Sequence, residues 1–445
     1  MSEHAFPELT LAEACGLITD GSHFSPIPQE DGYPIVNAKD IPKGKVELDT
    51  CTRILERDYQ LLRSQNCAPK AGDVLLSKDG TIGRVVHYKE DLGVVALSSV
   101  AILRPESQVK PEFLAHSLRS HLFDKQLFGL QSGSALKRLI LSDIKKIRVP
   151  APDTVIQTRI ATILSTLDKV IEATEKLVEK HQQIKAGMMH DIFTRGIWTR
   201  PEIARGDHKG LPCSATAKVG QLRPTPVEAP GIYQDSPLGP IPKAWKSELL
   251  DVLAKRGSGH TPNRHTPNFW DGGIKWVSLA DSSNLDQLYI SETEKEISLK
   301  GIENSSAVLH PAGIVVLSRD AGVGKSAITT CPMAVSQHFM CWLCGPELDN
   351  HYLYYWLQDQ KRVFENISTG TTIPTIGLGF FRRYKIAVPS DMDEQQAIRS
   401  SLLSVDETIF ALQHDLAKLR QQKQGLMHDL LTGRVRVNPP STLIV

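Results

Sequence analysis

The sequence predicts an α+β protein in two like halves, each a mixed domain closing on one long helix, and three observations predict it. The stretch Gln157 to Ile197 is written twice, and 238 positions further on it becomes Gln395 to Val435. Gln157, Ile160, Leu164, Asp168, Ile171, Lys180, Gln183 and Lys185 meet Gln395, Ile398, Leu402, Asp406, Ile409, Lys418, Gln421 and Lys423. Both copies close on one signature, Gly187-Met188-Met189-His190-Asp191 against Gly425-Leu426-Met427-His428-Asp429, with Thr194 matching Thr432. Ungapped identity of this kind marks a tandem of similar halves. The second observation is a seam in each copy, with apolar residues in alternating steps of four and three. It runs through Ile398, Leu402, Val405, Ile409, Leu412, Leu416, Leu419, Leu426 and Leu430, and Lys423 interrupts it. The first copy runs Ile160, Leu164, Leu167, Ile171, Thr174, Val178, His181, Met188 and Ile192, with Lys185 at the same interruption. That alternation is the heptad pattern of a helix packed lengthwise against another helix, although an amphipathic core helix is the bland alternative. The third is a fainter repeat: Gly72, Ser77, Asp79 and Gly83 align at one offset with Gly313, Ser318, Asp320 and Gly324, and Asp40 with Asp281.

In chain order, residues 1–151 carry short apolar runs between glycines and prolines: Tyr33 to Val36, Gly72 to Ser77 and Gly93 to Leu97. These read as strands joined by turns. Pro111 to Leu130 reads as a helix, with Phe113, Leu114, Leu118, Leu122 and Leu127 on one face. Pro150 and Pro152 stop the chain before the first long helix, over 152–197, a rod of roughly 55–60 Å. Residues 198–235 hold Pro201, Pro212, Pro224, Pro226 and Pro230 without periodicity and read as a partly extended linker. Residues 236–390 repeat the first plan, opening on Ser236 to Trp245, where Trp245 can pin the chain to its core. Pro346 to Phe364 takes the place of the Pro111 helix, and Ser368-Thr369-Gly370-Thr371 stands in for Gln131-Ser132-Gly133-Ser134. The second long helix follows over 391–437, and 438–445 is a tail. Two copies of one scaffold with different loops imply two related but different ligands, because loops on a common frame usually carry the contacts.

Composition narrows the class. A chain of 445 residues allows about three domains, and 41% hydrophobic with 23% charged residues is ordinary for a soluble globular protein. No apolar run reaches the length of a membrane span, and Met1-Ser2-Glu3-His4 does not open a secretory signal. Seven cysteines without a framework suit a reducing cytoplasm. Cys341 and Cys344, with only Cys331 and His338 nearby, fit buried strand positions better than zinc. A net charge of +1 does not demand nucleic acid, though Lys137, Arg138, Lys145, Lys146 and Arg148, and later Arg382, Arg383 and Lys385, permit a positive face.

Apparent catalytic motifs dissolve. Gly322-Val323-Gly324-Lys325-Ser326 has Arg319 where a phosphate loop needs glycine, so it reads as a strand-turn-strand corner. Asn438-Pro439-Pro440-Ser441 lacks the aromatic ring of an amino-methyltransferase motif. His190-Asp191 and His428-Asp429 are adjacent and diverge by about 100° on a helix, so they mark a shared packing or docking surface. No catalytic residue and no metal site is expected.

The layout closely resembles the DNA-specificity subunit of Type I restriction-modification enzymes. The resemblance rests on Ile147-x-Val149-Pro150 and Ile386-x-Val388-Pro389 before helices that open on Gln157-x-x-Ile160 and Gln395-x-x-Ile398. It rests also on Asp235 to Trp245, the paired glycine turns and Leu430-Leu431-Thr432-Gly433-Arg434-Val435-Arg436. The first copy departs from the pattern, with Ile156 where Glu394 stands in the second. The resemblance implies two target-recognition domains, 1–151 and 236–390, each reading part of a split DNA sequence, separated by two long antiparallel coiled-coil helices that act as a spacer. It implies double-stranded DNA and two methyltransferase subunits as partners, with a motor-nuclease subunit able to join. S-adenosylmethionine would belong to the methyltransferase partner, and this chain would hold no cofactor.

Polar side chains on glycine turns are the candidate DNA contacts: Ser22, His23, Asn37, Lys39, Ser77, Lys78, Ser132, Ser134, Lys137 and Arg138 in the first half. In the second they are His260, Asn263, Arg264, Ser278, Ser318, Arg319, Thr369 and Thr371. Candidates for the spacer and its docking surface are Gln157, Ile160, Leu164, Asp168, Ile171, Met189, His190 and Asp191, with Gln395, Ile398, Leu402, Asp406, Ile409, Met427, His428 and Asp429. Two other classes stay open. A methyltransferase in its own right would bind S-adenosylmethionine alone, and a helical adaptor would show no salt-dependent DNA affinity.

Overall fold

The computed structural model describes residues 6–42, 44–131, 138–206, 217–369 and 375–437. The chain forms two compact units, 1–176 with 414–445, and 177–413. The long helices, Thr154–Arg195 and Met392–Leu431, each contribute to both units.

In the first unit the central strand Asp73–Ser77 lies between Val85–Tyr88 and Val100–Pro105, and Cys15–Asp20 completes a four-stranded antiparallel sheet. Strand alternation sorts its side chains between two cores. Val74 and Leu76 pack with Leu114, Leu118, Phe123 and Leu127 of the helical layer. Leu75 points the other way, into a cluster with Val36, Val86 and Ile102. A three-stranded sheet of Thr52–Ile54, Tyr33–Val36 and Val95–Ala96 covers that face, its last pair parallel. The helix expected over Pro111 to Leu130 is two, Pro111–Ser117 and His121–Gln131. The Ser117 and Ser120 hydroxyls donate to the Phe113 and Ser117 carbonyls, and such back-bonding competes with helix continuation.

The second unit repeats the arrangement. Val315–Ser318 lies between Ser326–Thr329 and Phe339–Cys344, with Ala254–Ser258 outside and Tyr289–Ile290 added in parallel at the far edge. Val315 and Leu317 face Tyr352 and Leu353, while Val316 faces Val277 and Val335. Trp245, 2% exposed, opens the strand Trp245–Leu249 and stacks edge-on against Tyr352. Here too the helical stretch is split, into Asn350–Asp359 and Lys361–Ile367. The stretch 198–235, expected as a partly extended linker, is folded where it is described. It holds a capped helix, Arg200–Arg205, and a strand, Tyr233–Gln234, paired with Ile241–Pro242. Trp198, Ala229, Ile232 and Tyr233 form its own small core.

Each long helix starts and stops for local reasons. The Asp153 carboxylate accepts from the amides of Val155 and Ile156, and Asp391 from that of Asp393. Gly196 and Gly433 follow the last turns at φ 67° and 73°, a left-handed conformation that glycine adopts without penalty. Within the first unit Asp168 pairs with Lys423 at 2.5 Å and Glu175 with Arg420 at 2.5 Å, so the two helix segments run antiparallel there. Within the second, Lys185 pairs with Asp406 at 2.6 Å while Met189, Ile192 and Phe193 share a core with Ile398 and Leu402, again antiparallel. The lysines that interrupt both heptad seams are therefore the cationic ends of one repeated ion pair. The seam also drifts at its end. Leu426 is 38% exposed, and the neighbouring Met427 is buried instead. A helix of 3.6 residues per turn slips about 20° per heptad against a 3.5-residue repeat, which over four heptads amounts to nearly one residue.

Candidate nucleic-acid interface

The turn between the two central strands is the same object in both units. In the first, Ser77 N–H donates to the Arg84 carbonyl at 2.9 Å and Gly83 N–H to the Ser77 carbonyl at 3.0 Å. In the second, Ser318 N–H donates to Lys325 at 2.8 Å and Gly324 N–H to Ser318 at 3.0 Å. Gly83 and Gly324 have φ of 88° and 86°, so the aligned glycines mark a backbone shape that only glycine takes easily. A returning segment lies against each turn: Asp79 bridges Arg138, and Asp320 bridges Thr375. The cation closing each turn reaches one further loop. Arg84 donates to the Ala38 carbonyl at 3.3 Å, and the Lys325 ammonium donates to the Ser282 carbonyl at 2.9 Å.

Those loops begin on Asn37 and Ser278, which sit at equivalent positions and cap short 3-10 helices, Ala38–Asp40 and Leu279–Asn284. Asp40 and Asp281, the pair aligned in sequence, return the cap by accepting from the Asn37 and Ser278 amides at 2.9 and 2.8 Å. The Asn37 and Ser278 side chains therefore shape the loops, and Lys39 stands exposed on the first.

In the first unit a chain of charges runs His23–Asp20–Lys78–Asp79–Arg138, with contacts of 3.3, 3.4, 3.3 and 3.0 Å. Lys78, expected as a contact on the turn, lies beneath it, 2% exposed between two carboxylates. An ammonium taken out of water needs such pairing. The exposed members are His23 and Arg138. Ser77 is fully buried, its hydroxyl donating to the Thr81 carbonyl, and Ser318 is 1% exposed, its hydroxyl donating to Asp320. Ser22 is 6% exposed and accepts from the Phe24 amide. These three serines build the turns and present little to a ligand. Ser132, Ser134, Lys137 and Thr371 lie outside the described residues.

In the second unit Arg319 is half-buried beside Asp320, and Asp320 also takes His338 Nδ1 at 2.8 Å. His260, Asn263, Arg264 and Thr369 are exposed. Asn263 accepts from the His265 amide, which orders the loop carrying Arg264. Gln337 and His338, absent from the sequence-based candidates, stand beside the turn, where Arg319 N–H donates to the His338 carbonyl at 3.0 Å. Arg84 and Lys325 were also missed, although each directly follows an aligned glycine. Ser98 and Ser99 hold the corresponding positions in the first unit, where Lys78 N–H donates to Ser99.

The helix residues divide by role. Gln157 is fully buried; its carbonyl oxygen accepts from the Lys110 amide at 2.8 Å and its amide donates to Gln108 and Pro152 at 2.9 and 2.7 Å. Gln395 repeats this with Asp349, Glu347 and Pro389 at 2.9, 2.9 and 3.1 Å. These glutamines fasten each α+β domain to its helix. Ile160, Leu164, Met189, Ile398, Leu402, Ile409 and Met427 are buried within their own units, and Ile171 is half-buried. Asp168 and Asp406 are held in the repeated ion pairs. His190 and His428 are exposed, with Asp191 and Asp429 half-buried next to them.

Among the described residues no group of His, Cys, Asp and Glu is arranged to hold a metal ion. Cys341 is buried on its strand, and burial pushes its thiol up to about 12. No described helix is long and apolar enough to cross a membrane.

The chain matches the Type I restriction modification DNA specificity domain twice, over residues 23–185 and 242–421. It is similar to the MjaVIII specificity subunit of Methanocaldococcus jannaschii, 23% identical over 380 residues, covering 82% of this chain and 79% of that one. The MjaIX specificity subunit of that organism is 28% identical over 179 residues, but this chain spans only 41% of its length. The crystal structure of the S subunit of a Type I restriction-modification system from M. genitalium shares the fold, with a TM-score of 0.56 at 12% identity and 98% coverage of both chains. A solved chain from a type I R-M system shares it as well, at a TM-score of 0.53, 15% identity and coverage of 97% and 98%. The doubled turn, the doubled glutamine clasp and two matches that together span most of the chain place this protein in the Type I restriction modification DNA specificity family.

Proposed function

We propose that this chain is the non-catalytic DNA-reading subunit of a Type I restriction-modification complex in the cytoplasm, and that it recognises a split target. Each α+β domain reads one part. The long helices set the gap between the parts and, through the exposed His190 and His428 regions, dock two methyltransferase subunits. S-adenosylmethionine and the chemistry belong to those partners, this chain carrying no cofactor, and a motor-nuclease subunit joins for restriction. One observation carries the reading: both domains hold the same hydrogen-bonded turn, yet dress it differently, with Arg138 and His23 on one and Arg319, His338 and Gln337 on the other. A shared frame carrying different side chains is what two readers of different sequences require.

The test is the adenine and cytosine methylation pattern of the host genome with the gene intact and deleted. Loss of one split motif, two short specified parts around a fixed gap, is the expected result. An unchanged pattern, together with failure to co-purify with any methyltransferase, rejects the reading in favour of a helical adaptor. Within the assembled complex, Arg319→Ala weakens recognition of one part only, and equal activity on every site would reject its role.

A further inference from the structure

Beside the second unit's turn, four side chains form one directional hydrogen-bond relay. Asp320 lies 2.8 Å from Nδ1 of His338, and a carboxylate there holds the ring proton on Nδ1. Nε2 of His338 is therefore an acceptor, and it faces the Gln337 amide nitrogen at 3.3 Å. With its nitrogen turned to the histidine, Gln337 presents its oxygen to the Thr261 hydroxyl at 2.6 Å. The histidine end fixes one orientation of the amide, and the Thr261 hydroxyl, free to donate, satisfies it. A primary amide has two donors and two acceptor lone pairs, and the relay uses one of each. One N–H and one lone pair remain in the amide plane, on a side chain that is exposed.

We propose that Gln337 reads an adenine through its major-groove edge, donating to N7 and accepting from the N6 amino group. This rests on the DNA-reading function proposed above and adds a residue and a base to it. Glutamine is suited to adenine because the bidentate pair needs one donor and one acceptor in a plane. The relay leaves that pair and removes the flipped alternative, so little side-chain freedom is lost on binding. His338 acts through Gln337 as a positioning residue. Among the described residues the first unit has no such device: Ser98 and Ser99 hold these positions, and the Ser99 hydroxyl accepts from the Ala38 amide at 3.1 Å. The adenine reading therefore belongs to one part of the target.

The test uses the full chain assembled with its methyltransferase subunits, acting on a randomised DNA library whose methylated members are sequenced. Wild type should deposit a split motif. Gln337→Ala should cut discrimination at one A·T pair in one part by about 10- to 100-fold and leave the other part unchanged. Gln337→Glu, which keeps acceptors and loses the donor, should move preference at that pair toward cytosine, whose N4 donates. His338→Leu should relax the same pair, and His338→Asn, which restores an acceptor, should recover part of the discrimination. A retained split motif that neither Gln337 variant alters overturns the base assignment and leaves the DNA-reading function standing. Loss of all methylation in both Gln337 variants overturns it in favour of a structural role. A wild-type complex that deposits no split motif overturns both.

Discussion

His116 shows what one buried residue contributes. Its Nε2 lies 2.9 Å from Ser165 Oγ, and Ser165 gives its own proton to Glu112 at 2.7 Å, so the ring donates from Nε2 and leaves Nδ1 bare. Asp168 is 4.0 Å from Nδ1, too far for a hydrogen bond. Burial, then the positive charge of Arg119, lower the imidazole from 6.5 to about 4; Asp168 and Glu112 pull the other way and lose, while Lys423 adds to the lowering. A depressed histidine stabilises the fold above the unfolded value and loses that contribution as pH falls, because the unfolded chain takes the proton first. The first unit should therefore lose about 2–3 kcal/mol between pH 6.5 and 4 on this account. Urea unfolding of wild type against His116→Gln checks it: the variant should show a flatter slope across that window. The two clasping glutamines give a second residue-scale expectation. Gln157→Ala strips the Lys110 amide of its acceptor, and Gln395→Ala strips that of Asp349. Each should cost about 1–3 kcal/mol, read as a drop in the urea midpoint.

At the scale of elements, the end of the first long helix is locked by Arg223. Its guanidinium, 2% exposed, reaches Glu202 and Glu394 at 2.5 Å each and lies over the Trp198 ring at 5.1 Å. Glu394 also accepts from the Ile197 amide at 2.8 Å. Gly196 has to be glycine, since a β-carbon there would fall 2.0 Å from Arg223. Arg223→Ala leaves two buried carboxylates unpaired and should cost about 3–5 kcal/mol, measured by thermal or urea unfolding. Arg223→Lys should rescue little, because an ammonium cannot bridge two carboxylates as a planar fork does. The first unit has Ile156 at the position of Glu394, and Ile156 packs against an apolar cluster that includes Ile160 and Leu430. The sequence showed this departure, but only the packing explains it, as an apolar contact in one unit where the other has an ionic one.

For the whole molecule, the net charge of +1 sets an expectation about DNA. Several cations at the turns are already neutralised, Lys78 by Asp20 and Asp79 and Arg319 by Asp320. Phosphate neutralisation sets the salt dependence of binding, roughly one unit of log–log slope per contact. In the assembled complex, Arg319→Ala should lower that slope by about one if the arginine leaves Asp320 for a phosphate, and by nothing if it stays. Titration of DNA affinity against salt for both proteins separates the two.

The sequence by itself determined the twofold plan, the two long helices, the shared turn and the family, because repeats and heptads are written in local order. It also carried both partners of the repeated ion pair, Asp168 with Lys423 and Asp406 with Lys185, but showed the lysines only as faults in a seam. Tertiary structure decided which polar residues a ligand could touch. Ser77, Lys78 and Ser318 look like surface turn residues in the chain, yet they lie under the turns they form. Gln337 and His338 were not among the candidate DNA contacts, since the groups that orient them, Thr261 and Asp320, are 76 and 18 residues away. Burial and long-range hydrogen bonding depend on which segments meet in space, and a linear pattern records periodicity but not those meetings.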